Sequence, residues 1–242
     1  MLPRTVIAAA AALVVVGLLA PSPAVAHHHA AIQPGAQMTS PSGCTFNFVF
    51  RDAADAWYIG TAAHCVSFEG QTVSADGIGG FGSVVWRSNS VDFALIAIHP
   101  SFVGQIDPAL RHRGGPTGVA IAQPDSVPRF VFHYGYGIGY GETEPSRARP
   151  GLLTVHTPTY FLAQTTATFG DSGSALITEG GLALGVISEF ALFEAHTDRG
   201  PTIERILQRA LAEKGLDLRV ETAPLTDAAA RELERAGHAP LA

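Results

Sequence analysis

The sequence predicts an all-β protein built from two β-barrel halves and followed by a C-terminal helix. Short runs rich in β-branched and aromatic residues recur along the chain, each bounded by Gly, Pro, Asp, Asn or Ser, which is the pattern of short strands. Two sets of such runs are separated by a stretch rich in glycine and proline at residues 114–128. Because a composition shift of this kind marks a boundary between compact units, we expect the two halves to meet there.

The predicted strands fall on both sides of this boundary. Those of the first set lie at residues 45–50, 56–60, 82–87 and 93–98. The second set begins at residues 130–132 and ends at residues 182–188. We assign the first barrel half to residues 41–120, the second half to residues 121–200, and a C-terminal helix and tail to residues 201–242.

The C-terminal part changes from strand to helix periodicity. After Pro201, apolar side chains recur at helical spacing through residues 203–211, and Gly215 marks the end of this predicted helix. Alternating apolar residues at 216–220 predict a short strand, and residues 227–235 predict a weak final helix. These last elements have no assigned role at this stage.

The first segment of the chain is predicted to be a signal peptide, residues 1–26. Arg4 provides a positive start, residues 6–20 form an unbroken apolar run, and residues 24–26 are small residues that a signal peptidase accepts. The alternative is a retained membrane anchor, which is disfavoured because the run is shorter than the roughly 20 residues of a membrane span. We expect a secreted protein, free of the membrane after cleavage, with a flexible mature N-terminus at residues 27–40.

Composition excludes some classes of partner. The 242-residue chain has a formal net charge of -6 and only 15 Lys plus Arg, so it offers no basic stripe to nucleic acid. Its two cysteines, Cys44 and Cys65, fit an exported protein in which a disulfide is the default, and two cysteines alone make a poor zinc site. The histidines at 27–29 could wrap Cu(II) or Ni(II), but a polar, flexible terminus explains them better. We expect neither metal nor cofactor.

Three short motifs carry the chemistry. They are residues 61–65 around His64, residues 92–96 beginning with Asp92, and residues 170–174 around Ser172. A serine hydroxyl is a poor nucleophile at neutral pH, so it needs an imidazole to take its proton and a carboxylate to hold the imidazole in the useful tautomer. We therefore interpret His64, Asp92 and Ser172 as a catalytic triad.

The order of the motifs distinguishes between families that share this chemistry. The order His, Asp, Ser is that of the chymotrypsin-like barrels, whereas subtilisin-like folds and α/β-hydrolases have other orders. The G-x-S-x-G elbow of the hydrolases is not met either, because position 174 is Ser. Residues 44–188 thus resemble the chymotrypsin-like (trypsin-like) serine proteases, especially short secreted bacterial members. This resemblance implies two six-stranded antiparallel β-barrels and a polypeptide substrate.

The resemblance also assigns roles to individual residues. It implies that Ser172 is the nucleophile, His64 the general base and then acid, and Asp92 the residue that orients His64. The backbone N–H groups of Gly170 and Ser172 would form the oxyanion hole, and a disulfide would join Cys44 to Cys65. In animal members a freshly cut N-terminus pairs with the Asp before the nucleophile. No such motif precedes Cys44, so an arginine would serve instead; Arg129 is our candidate to pair with Asp171.

Substrate preference follows from a predicted pocket formed by Thr166, Ser188, Glu189 and Phe190. The resemblance implies that the residue six positions before Ser172, which is Thr166, forms the pocket floor. A buried carboxylate at that position would select Lys or Arg, so trypsin-like cleavage is disfavoured. Phe190 would narrow the pocket toward small or medium apolar side chains, whereas Glu189 could attract basic groups.

Two other functions stay open. A binding protein could keep this fold without its catalytic activity, and an esterase would share the acyl-enzyme chemistry. The oligomeric state is not predicted.

Overall fold

The structure is a computed structural model that describes residues 32–123, 127, 129–138, 147–191 and 197–237, without the side chains of Phe190 and Ala191. The predicted signal peptide and the histidines at 27–29 lie outside the described residues. In the described part, no helix is long and apolar enough to cross a membrane.

A first sheet forms from the N-terminal half. Its strands are β1 (Met38–Ser40), β2 (Val49–Arg51), β3 (Trp57–Thr61), β4 (Thr72–Ala75), β5 (Ile78–Ser88) and β6 (Phe93–Ile98). They lie in the order β1-β4-β5-β6-β3-β2, and all neighbours are antiparallel. Because β3 and β6 pair, the ends of these two strands bring the motifs of His64 and Asp92 to one edge.

A second sheet forms from the following residues. Its strands are β7 (Gly118–Val119), β8 (Arg129–His133), β9 (Arg149–His156), β10 (Tyr160–Gln164), β11 (Ala175–Thr178), β12 (Leu182–Val186), β13 (Glu189–Ala191) and β14 (Thr197–Pro201). Their order is β13-β14-β10-β9-β8-β11-β12-β7, which leaves β13 at an edge. All pairs are antiparallel except β7 with β12.

Two helices and a short strand complete the chain. Helix α1 (Ile203–Lys214) begins where the Thr202 side chain accepts a hydrogen bond from the N–H of Arg205, and it ends at Gly215 in the left-handed conformation. Strand β15 (Arg219–Val220) then pairs with β2 and becomes the seventh strand of the first sheet. Helix α2 (Asp227–Arg235) begins after Thr226, so both predicted helices are confirmed.

The core has three clusters of buried apolar side chains. One lies within each half, and the largest contains buried side chains from both halves and from the first helix. In this shared cluster, Phe93 packs edge-on against Phe50 at 5.9 Å, and Trp86 lies 5.5 Å from Phe93. The halves are therefore held together by a continuous apolar core, which fixes the cleft between them.

The expected double β-barrel is found, with differences in detail. The sheets have seven and eight strands rather than six, because the tail and short edge strands extend them. Residues 118–119, assigned to the first half, pair with the second sheet. Residues 32–40, expected to be flexible, include Ile32, Ala36 and Met38, which are fully buried.

The predicted strand at residues 45–50 is also shorter than expected. Only its end is a named strand, because the backbone groups of Thr45 and Phe46 bond to segments other than β3. The N–H of Thr45 donates to the carbonyl of Ser172, and the side chain of Asn47 donates to the carbonyl of Gly173. These residues therefore link the first half to the serine turn.

Candidate active site

His64 and Asp92 form a closely bonded pair. His64 lies in a short 3₁₀ turn, Ala63–Cys65, directly after β3, and Asp92 directly precedes β6. One carboxylate oxygen of Asp92 lies 2.8 Å from His64 Nδ1, and the other accepts the backbone N–H of His64 at 3.0 Å. Because Asp92 holds both the ring and the backbone, the imidazole presents Nε2 away from the carboxylate.

The environment of His64 sets its basicity. The hydrogen bond to Asp92 raises the pKa of His64 above its ordinary value, against the opposing effects of partial burial and of the positive Arg87. Arg87 also holds the histidine turn, since its Nε donates to the carbonyls of Ala63 at 3.1 Å and of Val66 at 2.9 Å. Sequence reasoning missed Arg87, because only the strand pairing brings it to this turn.

Ser172 lies in a tight turn between β10 and β11 and is almost fully buried. Gly170 and Gly173 on either side have φ of 101° and 89°, which side chains rarely adopt. A Cβ at Gly173 would also approach the Thr45 carbonyl to 2.4 Å. The hydroxyl of Thr45 donates to the carbonyl of Gly170 at 2.8 Å, so the first half of the chain supports this turn.

Two backbone N–H groups beside Ser172 are left without partners. The carbonyl of Phe169 accepts the N–H of Ile138, and the carbonyl of Asp171 accepts the N–H of Ser174. In a trans peptide the carbonyl and the N–H point in opposite directions, so the N–H groups of Gly170 and Ser172 point away from these donors. The N–H groups of Asp171, Gly173 and Ser174 are bonded, but those of Gly170 and Ser172 donate to no described residue. Two N–H groups left free in one turn beside a serine hydroxyl are able to bind an oxyanion.

A buried ion pair supports the same turn from behind. Asp171 is fully buried, and its two carboxylate oxygens accept from Arg149 Nη1 at 2.9 Å and Nη2 at 2.5 Å. The same oxygens accept from the N–H groups of Gly137 and Thr168, both at 2.8 Å. With four donors, the carboxylate is well compensated, and its position fixes the residue before the nucleophile.

The partner of Asp171 is therefore Arg149, and our expectation of Arg129 was wrong. In the β8–β9 hairpin, Arg149 pairs with His133, whereas Arg129 pairs with Leu153 at the other end of the two strands. Only the His133 end of the hairpin continues into residues 135–137, where the N–H of Gly137 bonds to Asp171. The register of this hairpin thus decides which arginine reaches the carboxylate, and sequence reasoning had no means of fixing that register.

His64 and Ser172 line one cleft of about 860 Å³ between the halves. The Cys44–Cys65 disulfide, with an S–S distance of 2.02 Å, forms part of its wall, as the resemblance implied. Phe169 and Ile138 expose large apolar surfaces on the same wall. No hydrogen bond joins Ser172 Oγ to His64 in the described part, although both face this space.

No protein-family model matches the chain, and no curated protein sequence matches it. Solved structures match its fold. Protease A from Thermobifida fusca is 20% identical, with a TM-score of 0.57 over 79% of this chain and 98% of the protease. Nocardiopsis protease is 21% identical, with a TM-score of 0.58 over 79% of this chain and 99% of the protease. Cellulomonas bogoriensis chymotrypsin is 18% identical, with a TM-score of 0.52 over 79% of this chain and 98% of that protein.

The chain has the chymotrypsin-like fold. The predicted resemblance to bacterial chymotrypsin-like serine proteases is thereby confirmed at the level of fold. The positions of His64 and Asp92 in the first half and of Ser172 in the second place all three side chains where the two barrels of this fold meet.

The four residues of the predicted pocket do not all meet in the cleft of this chymotrypsin-like chain. Ser188 and Glu189 line it beside Ser172. Thr166 instead lies exposed in a separate cavity with Arg149 and helix α2, because the turn before Ser172 directs it away from the cleft. The side chain of Phe190 lies outside the described part.

A buried carboxylate that sequence reasoning missed lies next to this pocket. Asp198 on β14 pairs across the strands with Phe190 on β13, and its Oδ2 accepts a hydrogen bond from the hydroxyl of Thr165. The pairing of edge strand β13 with β14 brings Asp198 beside Phe190. We expected Thr166 rather than a carboxylate at the pocket floor and one acidic residue, Glu189, in the pocket, so this buried carboxylate was not anticipated.

Proposed function

We propose that this chain is a secreted serine endopeptidase that cleaves polypeptides through an acyl-enzyme intermediate. The observation that carries the proposal is the pair of N–H groups at Gly170 and Ser172, which have no partner among the described residues and share a cleft with His64, itself bonded to Asp92. A nucleophile, a base with its orienting carboxylate, and two donors for an oxyanion are the parts that acyl transfer needs.

In this mechanism Ser172 Oγ attacks the carbonyl carbon of the scissile bond while His64 Nε2 takes the hydroxyl proton. The carbonyl oxygen becomes an oxyanion, which accepts hydrogen bonds from the N–H groups of Gly170 and Ser172. His64 then gives its proton to the leaving amine as the C–N bond breaks. Water repeats these steps on the acyl-enzyme and frees the acid.

Asp92 and Asp171 support this chemistry without reacting. Asp92 keeps the proton of neutral His64 on Nδ1 and stabilises the imidazolium that forms. Asp171, held by Arg149, keeps the peptide planes of the serine turn in the orientation that leaves the two N–H groups free. The donors are therefore in place before the substrate binds, which lowers the reorganisation cost of the reaction.

Secretion rests on the predicted signal peptide and on the disulfide, which suits an oxidising compartment. We propose cleavage after Ala26. Mass spectrometry of the protein recovered from culture medium should give a mature chain that begins at His27. Recovery with Met1 still attached would contradict this part of the proposal.

The test is labelling with a fluorophosphonate probe, followed by mass mapping of the adduct. We expect one probe per chain, attached at Ser172, together with cleavage of unfolded protein substrates. Ser172→Ala should abolish labelling and cleavage while leaving the thermal melt nearly unchanged, and Ser101→Ala, an exposed serine, should change neither. A folded chain that is not labelled would favour a binding-only protein, and labelled protein that cleaves esters but no peptide would favour an esterase.

A further inference from the structure

A second cavity of about 360 Å³ adjoins the triad. It shares Ser188 and Glu189 with the catalytic cleft, and Asp92 forms part of its wall. Helix α1 closes its far side with Arg205, and strand β14 contributes Arg199. The cavity thus continues the cleft along the edge strand β13, away from the disulfide.

Of the two guanidinium groups that line this cavity, one is left without a close partner in the described part of the chain. Glu189 lies 3.9 Å from Arg199, and the guanidinium of Arg199 also lies 5.5 Å from the ring of Tyr160, so these two charges face each other. The carboxylate of Asp92 is engaged by His64. The guanidinium of Arg205 has no ion pair, hydrogen bond or ring contact among the described residues.

The position of Arg205 in its helix makes this charge unusual. Arg205 lies in the first turn of α1, where its backbone N–H bonds to Thr202 and where a positive side chain is unfavourable near the positive end of the helix. Local helix stability therefore gives no reason for a cation here. The cavity provides one, because an anion bound in it would compensate the charge.

A polypeptide substrate can bring such an anion to the cavity. Strand β13 is an edge strand, so its outer backbone groups are available for an extended peptide to add as a further strand. Strand β13 begins beside Ser188, which lines the cleft with Ser172, so a peptide paired with this strand would extend from the cleft into the cavity. Because alternate side chains of an extended peptide face the same way, some of them would enter the cavity beside Arg205.

We propose that this cavity selects an acidic side chain at one position near the scissile bond, and that Arg205 is the residue that selects it. A guanidinium binds a carboxylate through two parallel hydrogen bonds and cannot lose its charge at physiological pH. Glu189 does not oppose this selection, since its own charge faces Arg199. The inference rests on the proposed function and names a substrate class for it.

The test is digestion of a proteome-derived peptide library, followed by sequencing of the new ends. We expect Asp and Glu to be enriched at one fixed position near the cleaved bond, and kcat/KM for a peptide with Glu there to exceed that for its Gln counterpart about tenfold. Arg205→Gln should abolish the difference by slowing the Glu peptide while leaving the Gln peptide unchanged. Arg231→Gln, which removes the same charge from an exposed site on α2, should retain the preference.

A library cut without acidic enrichment, or an Arg205→Gln variant that keeps the preference, would overturn this inference alone, because cleavage would still support the endopeptidase. A chain that cleaves no peptide and takes up no fluorophosphonate would overturn both proposals together. Failure of the acidic preference and failure of the endopeptidase proposal can therefore be distinguished in the same preparation.

Discussion

Asp92 illustrates how much a single residue contributes to this site. Its φ of 41° lies in the left-handed region, which aspartate enters more readily than most residues but still at a cost in free energy. The unusual backbone lets one carboxylate reach both the backbone N–H and the ring Nδ1 of His64. The residue type was predictable from the sequence, but this conformation was not.

Asp92→Asn should lower kcat on peptide substrates by about 10⁴-fold, because an amide favours the wrong tautomer of His64. The carboxylate is also the main cause of the raised pKa of His64, so the acid limb of the pH–rate profile should move to lower pH in the variant. Steady-state kinetics between pH 5 and 9 check both effects. The exposed Asp76→Asn should behave as the parent, and an unchanged acid limb in Asp92→Asn would contradict this account.

His133 should make the fold sensitive to acid. It is fully buried, neither ring nitrogen has a hydrogen-bond partner among the described residues, and burial, with Arg149 nearby, lowers its pKa to about 3. Below the ordinary value of about 6.5, the unfolded chain binds a proton that the folded chain does not, so stability falls as pH falls. Between pH 6.5 and pH 5 the free energy of unfolding should fall by about 2 kcal/mol for this reason. His133→Phe should remove it, and chemical denaturation at both pH values measures this; equal losses in both proteins would refute it.

At the scale of elements, strand pairing decides which residues meet. The pattern of the sequence located both helices, the three motifs and about half of the strands, among them β3, β5, β6, β8 and β12, because periodicity and turn residues are local signals. The partner of Asp171 depended on the register of the β8–β9 hairpin, and the short β2 depended on bonds from residues 45–47 to a turn far along the chain. Such long-range pairings leave no local pattern, so Arg149 and Thr45 could not be predicted.

Arg149→Met should inactivate the chain through the serine turn. It would leave the carboxylate of Asp171 buried without its charged partner, which costs about 3–5 kcal/mol of stability. The oxyanion donors should then lose their alignment, so fluorophosphonate labelling of Ser172 should slow by roughly 100-fold or more. Labelling rates and denaturation curves test both effects.

Two further variants test whether the effect is specific to the ion pair between Arg149 and Asp171. Arg129→Met removes the arginine at the other end of the hairpin and should change neither labelling nor stability greatly. Arg149→Met combined with Asp171→Asn removes both charges, so it should regain stability relative to Arg149→Met alone without regaining the full labelling rate. Normal labelling by Arg149→Met would show that the pair does not hold the turn.

At the scale of the whole molecule, the C-terminal segment after Gly215 joins parts that are distant in sequence. Strand β15 extends the first sheet beside β2, and Leu225 pairs with Gly114 in the connection between the halves. On helix α2, Glu232 pairs with the buried Arg113 at 3.0 Å. The sequence indicated a strand and a helix here, but not that they would pack across both halves.

Leu218→Ala and Leu233→Ala should therefore destabilise the whole fold although both lie outside the catalytic cleft. Each side chain is nearly fully buried, so its truncation should cost about 2–5 kcal/mol, whereas Leu211→Ala, which is 55% exposed on α1, should cost little. Chemical denaturation measures the losses. Labelling of Ser172 at 25 °C should stay at the parental rate wherever the variants are folded, because the tail supports the fold without contacting the triad. A folded Leu233→Ala variant in which Ser172 is labelled more slowly would instead show that the tail affects the active site directly.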